Sequence, residues 1–148
     1  MKIPPLLAGV TGEYFVAAEL SRRGHIASVS LRNTRGIDIL ATNQKASRSI
    51  TIQCKTNQLA RKAWMLNEKS ESFVSEDHFY VFVALGEVLE RASYHIVPSR
   101  AVAEHISKSH RNWLRTPGRA GRQHGDSSIR IFSDQNGEYL EKWDLLGL

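Results

Sequence analysis

Apolar and polar positions divide the chain into stretches of two periods. Residues 10–23 follow a helical period, with Val16 and Leu20 as an i, i+4 apolar pair. Tyr14, Ala17, Ala18 and Ser21 make a second face, small residues beside one aromatic, which predicts close packing against a sheet. Thr11 stands where a cap belongs, Glu13 falls in the first turn where the helix dipole favours an acid, and Gly24 is a natural stop.

Three segments of period two come next. Residues 25–31 place Ala27, Val29 and Leu31 on one side, and residues 36–42 place Ile37, Ile39 and Ala41 on one face. Residues 49–56 present Ile50, Ile52 and Cys54 on one face and Ser49, Thr51, Gln53 and Lys55 on the other. The polar stretch 43–47 suits a hairpin loop between the second and third segments. Residues 57–76 are polar with Leu59, Trp64, Met65 and Leu66 embedded, and admit a short helix. Residues 78–85 are almost continuously β-prone, as in a buried central strand. A strand over 93–97 leads through Pro98 and Ser99 into a helix to about 109, with Val102 and Ile106 as its apolar pair. A loop-like stretch over 110–128 contains Pro117, Gly118, Gly121 and Gly125; a short strand over 129–132 and an amphipathic segment over 138–146 around Trp143 close the chain. This order predicts a single α/β domain over 1–148, a central mixed β-sheet flanked by helices.

Composition narrows the setting. With 41% hydrophobic and 24% charged residues the chain reads as globular, and its net charge of +5 leans towards polyanionic partners. A lone cysteine, Cys54, excludes an internal disulfide and a cysteine-rich zinc site, and a reducing cytoplasm is the simplest compartment. The start of the chain, broken by Pro4 and Pro5, is too short for a signal peptide, and no run approaches the roughly 18 apolar residues of a membrane span, so no membrane partner is expected.

The candidate chemistry lies in polar residues set on apolar elements. Asp38 interrupts an otherwise hydrophobic strand, where a carboxylate is costly unless paired, hydrogen-bonded or metal-bound. Gln53 and Lys55 share a face on the next strand, and a hairpin would bring Asp38 beside Gln53, with Glu13 able to reach the same end. Asp38, the Gln53 carboxamide and the Cys54 main-chain carbonyl supply the oxygen ligands that Mg²⁺ or Mn²⁺ takes, with Glu13 as a further ligand. A cation held there activates water and stabilises charge on a scissile phosphate, and Lys55 orients the water or the developing charge.

The runs GEYFVAAELSRRG, GIDILA and TIQCKT, in that order, resemble the PD-(D/E)XK nuclease superfamily, in particular archaeal Holliday-junction resolvases and related small bacterial nuclease-like proteins. The resemblance covers about residues 10–57. It implies a restriction-endonuclease-like fold with an αβββαβ core. It also implies metal-dependent hydrolysis of nucleic acid, DNA before RNA, by an endonuclease or resolvase that often works as a homodimer. It matches Glu13 to the helix glutamate, Asp38 to the metal-binding aspartate, Gln53 to the acidic position and Lys55 to the catalytic lysine. Gln53 departs from the usual acid, which removes one negative charge and weakens metal affinity. Ile37 stands where a proline often precedes the aspartate.

Plainer readings compete. Asp38 can pair with Arg32 or Arg35, Gln53 and Lys55 can lie on a solvated face, Glu13 can simply answer the dipole, Glu19 reads as surface, and Cys54 as a small core residue. Lys108, Arg111, Arg115, Arg119 and Arg122 fall in an acid-free stretch that suits phosphate contact, while Trp113 reads as an anchor to the core. The six histidines show no metal-ligand spacing, though His110 and His124 in that stretch can touch phosphate, as can Arg61 and Lys62 beyond the third strand. Two further function classes remain: a catalytically inactive nucleic-acid-binding module, and a protein-interaction partner of the inhibitor or immunity kind.

Overall fold

A computed structural model describes residues 2–31, 36–59 and 61–148. Helix α1, Pro5–Arg22, starts five residues before the expected position, because Pro5 sits in the first helical turn, where a missing N–H costs nothing. Thr11 is therefore no cap; its hydroxyl donates to the Leu7 carbonyl one turn back. Glu13 lies beyond the first turn, which removes the dipole reading. The face that meets the sheet is Ala8, Gly12, Val16, Glu19 and Leu20; Tyr14, Ala18 and Ser21 point outward, against expectation.

Strands β1 (Ile26–Val29), β2 (Ile39–Thr42) and β3 (Ser49–Asn57) form an antiparallel meander, with Ile39 opposite Ile52. β1 is shorter and more open than its alternation suggested. Leu31 lies beyond its end and is 89% exposed, because β1 is the sheet edge. Residues 57–76 hold strand β4 (Ala63–Asn67) and a 3₁₀ turn, Glu68–Glu71, in place of the short helix. β5 (His78–Ala84) is buried at every position and runs parallel to β3, as its continuous apolar pattern required. β6 (Ser93–Pro98) completes a five-stranded mixed sheet of order β1-β2-β3-β5-β6. Helix α2, Ser99–Arg115, runs six residues past its expected end, and β7 (Ile129–Ser133) pairs with β4 in a separate two-stranded ribbon. The closing segment is helical only over a 3₁₀ turn, Trp143–Leu146, while Leu140 bridges to His95.

Two apolar layers sandwich the main sheet. One joins Val16 and Leu20 of α1 to Ile39, Ile50, Ile52 and Val81; the other joins Val102 and Ile106 of α2 to Tyr80, Phe82 and, from the ribbon, Trp64 and Phe132. Glu19, read as surface, is buried, in ion pairs with Arg22 (3.0 Å) and Arg23. Burial opposes its charge, but hydrogen bonds from both arginines outweigh it and hold the carboxyl below its usual range. Among the described residues no helix is long and apolar enough to cross a membrane.

Candidate active site

The candidate residues gather where β2 parts from β3. The Asp38 N–H donates to the Ile52 carbonyl (2.8 Å), although Ile39 is the register partner of Ile52. Two consecutive residues thus address one, the arrangement of a β-bulge, which re-aims side chains. Asp38 stands just before β2 rather than inside it. Its Oδ2 accepts the Cys54 main-chain N–H at 2.7 Å. Burial raises the Asp38 carboxyl above its usual range, while the Cys54 N–H and the Lys55 ammonium pull it back. A half-buried carboxyl in that balance gains from a nearby cation.

Cys54 shows which charges converge. Burial pushes its thiol well up, the negative charges of Asp38 and Glu13 push the same way, and Lys55 opposes them. The charges of Glu13 on α1, Asp38 just before β2 and Lys55 on β3 are therefore felt at one point. Cys54 itself is a buried core residue, as read. Glu13 owes its position to Gly12: a Cβ there would stand 1.9 Å from Thr56 Oγ1, so only glycine lets α1 lie this close to β3. Gly36 has φ +63°, the left-handed region that favours glycine, and brings the chain against the Gln53 carboxamide, whose Oε1 is 3.7 Å from where a Cβ would stand. Phe73 flanks the same spot at 3.5 Å.

The donor set fits a hard cation: two carboxylates, a carboxamide oxygen and a main-chain carbonyl. Among the described residues no group of three or more His, Cys, Asp and Glu is poised to hold a metal, so the set depends on Gln53 and the carbonyl. Arg32 and Arg35, the alternative partners for Asp38, lie outside the described residues.

Lys55 also opens onto a cleft of about 400 Å³ that takes in Asn57, Leu59, Arg61, Met65 and Ile131. The Asn57 amide donates to the Arg61 (2.7 Å) and Ala63 (3.0 Å) carbonyls and so shapes the turn that presents Arg61.

The five basic residues of the acid-free stretch do not form one loop. Lys108, Arg111 and Arg115 belong to α2, while Arg119 and Arg122 lie in the loop after it. None is among the charges felt at Asp38 or Cys54. Lys108 and Arg111 share a depression with Glu71 and Glu104, so that surface is not purely basic. Trp113 does not anchor to the core. It is 42% exposed and stacks on His110 (5.6 Å between centroids) and His124 (4.1 Å). His110 in turn pairs with Asp126 at 2.8 Å. The sequence reading missed the outward residues of β4 and β7, whose only signal was the alternation of Trp64, Met65 and Leu66 with Ile129 and Ile131.

No protein-family model matches the chain. No curated protein matches it either. Among solved structures, a bacterial homing endonuclease, I-Ssp6803I, superposes over 99% of this chain and 94% of its own, with a TM-score of 0.58 and 13% identity. Hjc, a Holliday junction resolvase of the archaeal hyperthermophile Archaeoglobus fulgidus, covers 85% of this chain and 84% of its own, with a TM-score of 0.46 and 12% identity. The chain has the restriction-endonuclease-like fold that its motifs led us to expect, with one difference: the crossover from β3 to β5 runs through β4 and a 3₁₀ turn instead of a full helix.

Proposed function

We propose that the protein is a metal-dependent nuclease that hydrolyses phosphodiester bonds of DNA. The observation that supports this most directly is the half-buried Asp38 carboxylate held at 2.7 Å on the Cys54 main-chain N–H, where β2 leaves the strand that carries Gln53 and Lys55. Asp38, Gln53 and the Cys54 carbonyl, with Glu13, are the residues that would hold Mg²⁺ or Mn²⁺. Such a cation supplies an activated water and a counter-charge for the phosphate. Lys55 would orient the attacking water and offset the charge that builds on the phosphoryl oxygens. Asp38 is kept in place by the Cys54 N–H, and Gly12 lets the helix that carries Glu13 lie against β3. Arg119 and Arg122, exposed on their loop, bind strand backbone, as do Lys108, Arg111 and Arg115 more weakly beside their acids. The likeness in fold to a bacterial homing endonuclease supports nucleic acid as the substrate class.

A binding module without turnover is favoured by one observation: Gln53 stands where an acid would complete a three-acid cluster. The deciding experiment offers labelled duplex, single-stranded and four-way-junction DNA with Mg²⁺, Mn²⁺ or EDTA to the wild type, Lys55→Ala and Asp38→Asn. Metal-dependent cleavage lost in both variants supports the nuclease. Intact DNA in every wild-type reaction, with binding retained by all three proteins, overturns it in favour of the binding module.

A further inference from the structure

We infer that the outer face of the β4–β7 ribbon is a docking track for the unpaired bases of a nucleic-acid strand, running from Lys55 to Trp113. The inference rests on the nucleic-acid reading above and names the form of substrate it would take. The inner face of the ribbon carries Trp64, Leu66 and Phe132 into the core. Its outer face is expected to be polar where it meets water. It presents Met65, Ile129 and Ile131 instead, with Met65 directly opposite Ile131 and 62% exposed.

Ile131 lines two depressions at once. One, of about 400 Å³, ends at Lys55 and Arg61; the other, of about 500 Å³, ends at His110 and Trp113. An apolar floor is thus continuous between a cationic end at the candidate site and an aromatic end on α2. Among the described residues no acid lines either depression, in contrast to the surface around Lys108, and Asp126, beside the aromatic end, is paired with His110. That charge pattern selects the occupant. A second copy of this chain, itself carrying +5, would set cations against cations; a polyanion is drawn to them. A duplex hides its bases and offers phosphates, for which an apolar floor does nothing. A strand with open bases buries them on that floor while its phosphates meet Lys55 and Arg61.

The test measures binding in EDTA by fluorescence anisotropy, using labelled oligothymidine and a duplex of equal length. The proteins are the wild type, Met65→Ser/Ile131→Ser, Trp113→Phe and Lys55→Ala, with circular dichroism to verify folding. The wild type should prefer the single strand. The double variant should lose about tenfold or more of that affinity, the scale of one stacked or packed base, and keep its duplex affinity. Quenching of tryptophan fluorescence by the oligonucleotide should shrink in Trp113→Phe. Equal or tighter duplex binding, or a folded double variant with unchanged single-strand affinity, overturns the track. So does concentration-dependent dimerisation that only the double variant loses, which assigns the face to a second copy. Cleavage is scored separately with Mg²⁺: no cleavage with strong single-strand binding defeats the nuclease reading alone, and cleavage without single-strand preference defeats the track alone.

Discussion

The Asp38 carboxylate accepts the Cys54 main-chain N–H at 2.7 Å, taking the place of a backbone carbonyl at the point where β2 parts from β3. This side chain therefore holds the strand, and under the proposed function it would also face a cation; substitution separates the two. Asp38→Asn keeps an acceptor oxygen, so stability should change little while metal binding and cleavage are lost. Asp38→Ala leaves a half-buried N–H without a partner and should cost a further 1–3 kcal/mol or so. Urea denaturation beside metal titration calorimetry measures both. Equal stability of the two variants would remove the strand-holding duty.

Gln53→Glu adds the acid that the site lacks. Mn²⁺ affinity should rise by about tenfold or more, because hard cations follow ligand charge. Calorimetric titration reads this directly, and an unchanged affinity would place the cation away from Gln53.

Gly12→Ala drives a methyl onto Thr56 Oγ1, which would stand 1.9 Å away. The helix must shift, at a cost of about 1–3 kcal/mol, and Glu13 shifts with it. Adding Thr56→Ala removes the hydroxyl and should recover much of the loss, so a double-mutant cycle in thermal unfolding should show a coupling of about 1 kcal/mol or more. Additive losses would mean that the contact does not set the helix position.

His78 is buried, with Nδ1 2.8 Å from the Thr51 hydroxyl and Nε2 without a partner. Burial lowers its pKa to about 4 from 6.5. Above pH 6.5 both the folded and unfolded chains hold it neutral, and it makes no pH-dependent difference. Below that, the unfolded chain takes up a proton that the folded chain refuses. Stability therefore falls as pH drops towards 4, by on the order of 3 kcal/mol, and then levels off. Urea midpoints between pH 7 and 4 should show this slope, and His78→Gln should flatten it; parallel slopes would place the acid sensitivity elsewhere.

Most of the main sheet was legible in the sequence because β3 and β5 bury alternating or continuous apolar runs whose period survives any context. The start of α1 was not legible, since Pro4 and Pro5 read as a break although a proline in the first turn is compatible with a helix. β4 was hidden because its partner, β7, comes from the opposite half of the chain, and a lone segment holding Trp64, Met65 and Leu66 satisfies helix and strand equally. The order Glu13, Asp38, Gln53, Lys55 pointed to one end of the sheet, where Asp38 accepts the Cys54 N–H; the roles of the four residues rest on the proposed function. Glu19 was misjudged because α1 turns it inward beside Val16 and Leu20, where Arg22 and Arg23 close to it in sequence satisfy its charge.

The ribbon has a consequence for the order in which the molecule is made. β1, β2 and β3 each pair with the strand next to them in sequence, so the Asp38 corner can form while synthesis continues. β4 must wait for β7, near the end of the chain, before its ladder has a partner. On the ribosome, the segment that carries the carboxylates exists before Ile129 and Ile131 complete the apolar floor, and pulse-labelled hydrogen exchange during refolding should protect the amides of β3 ahead of those of β4.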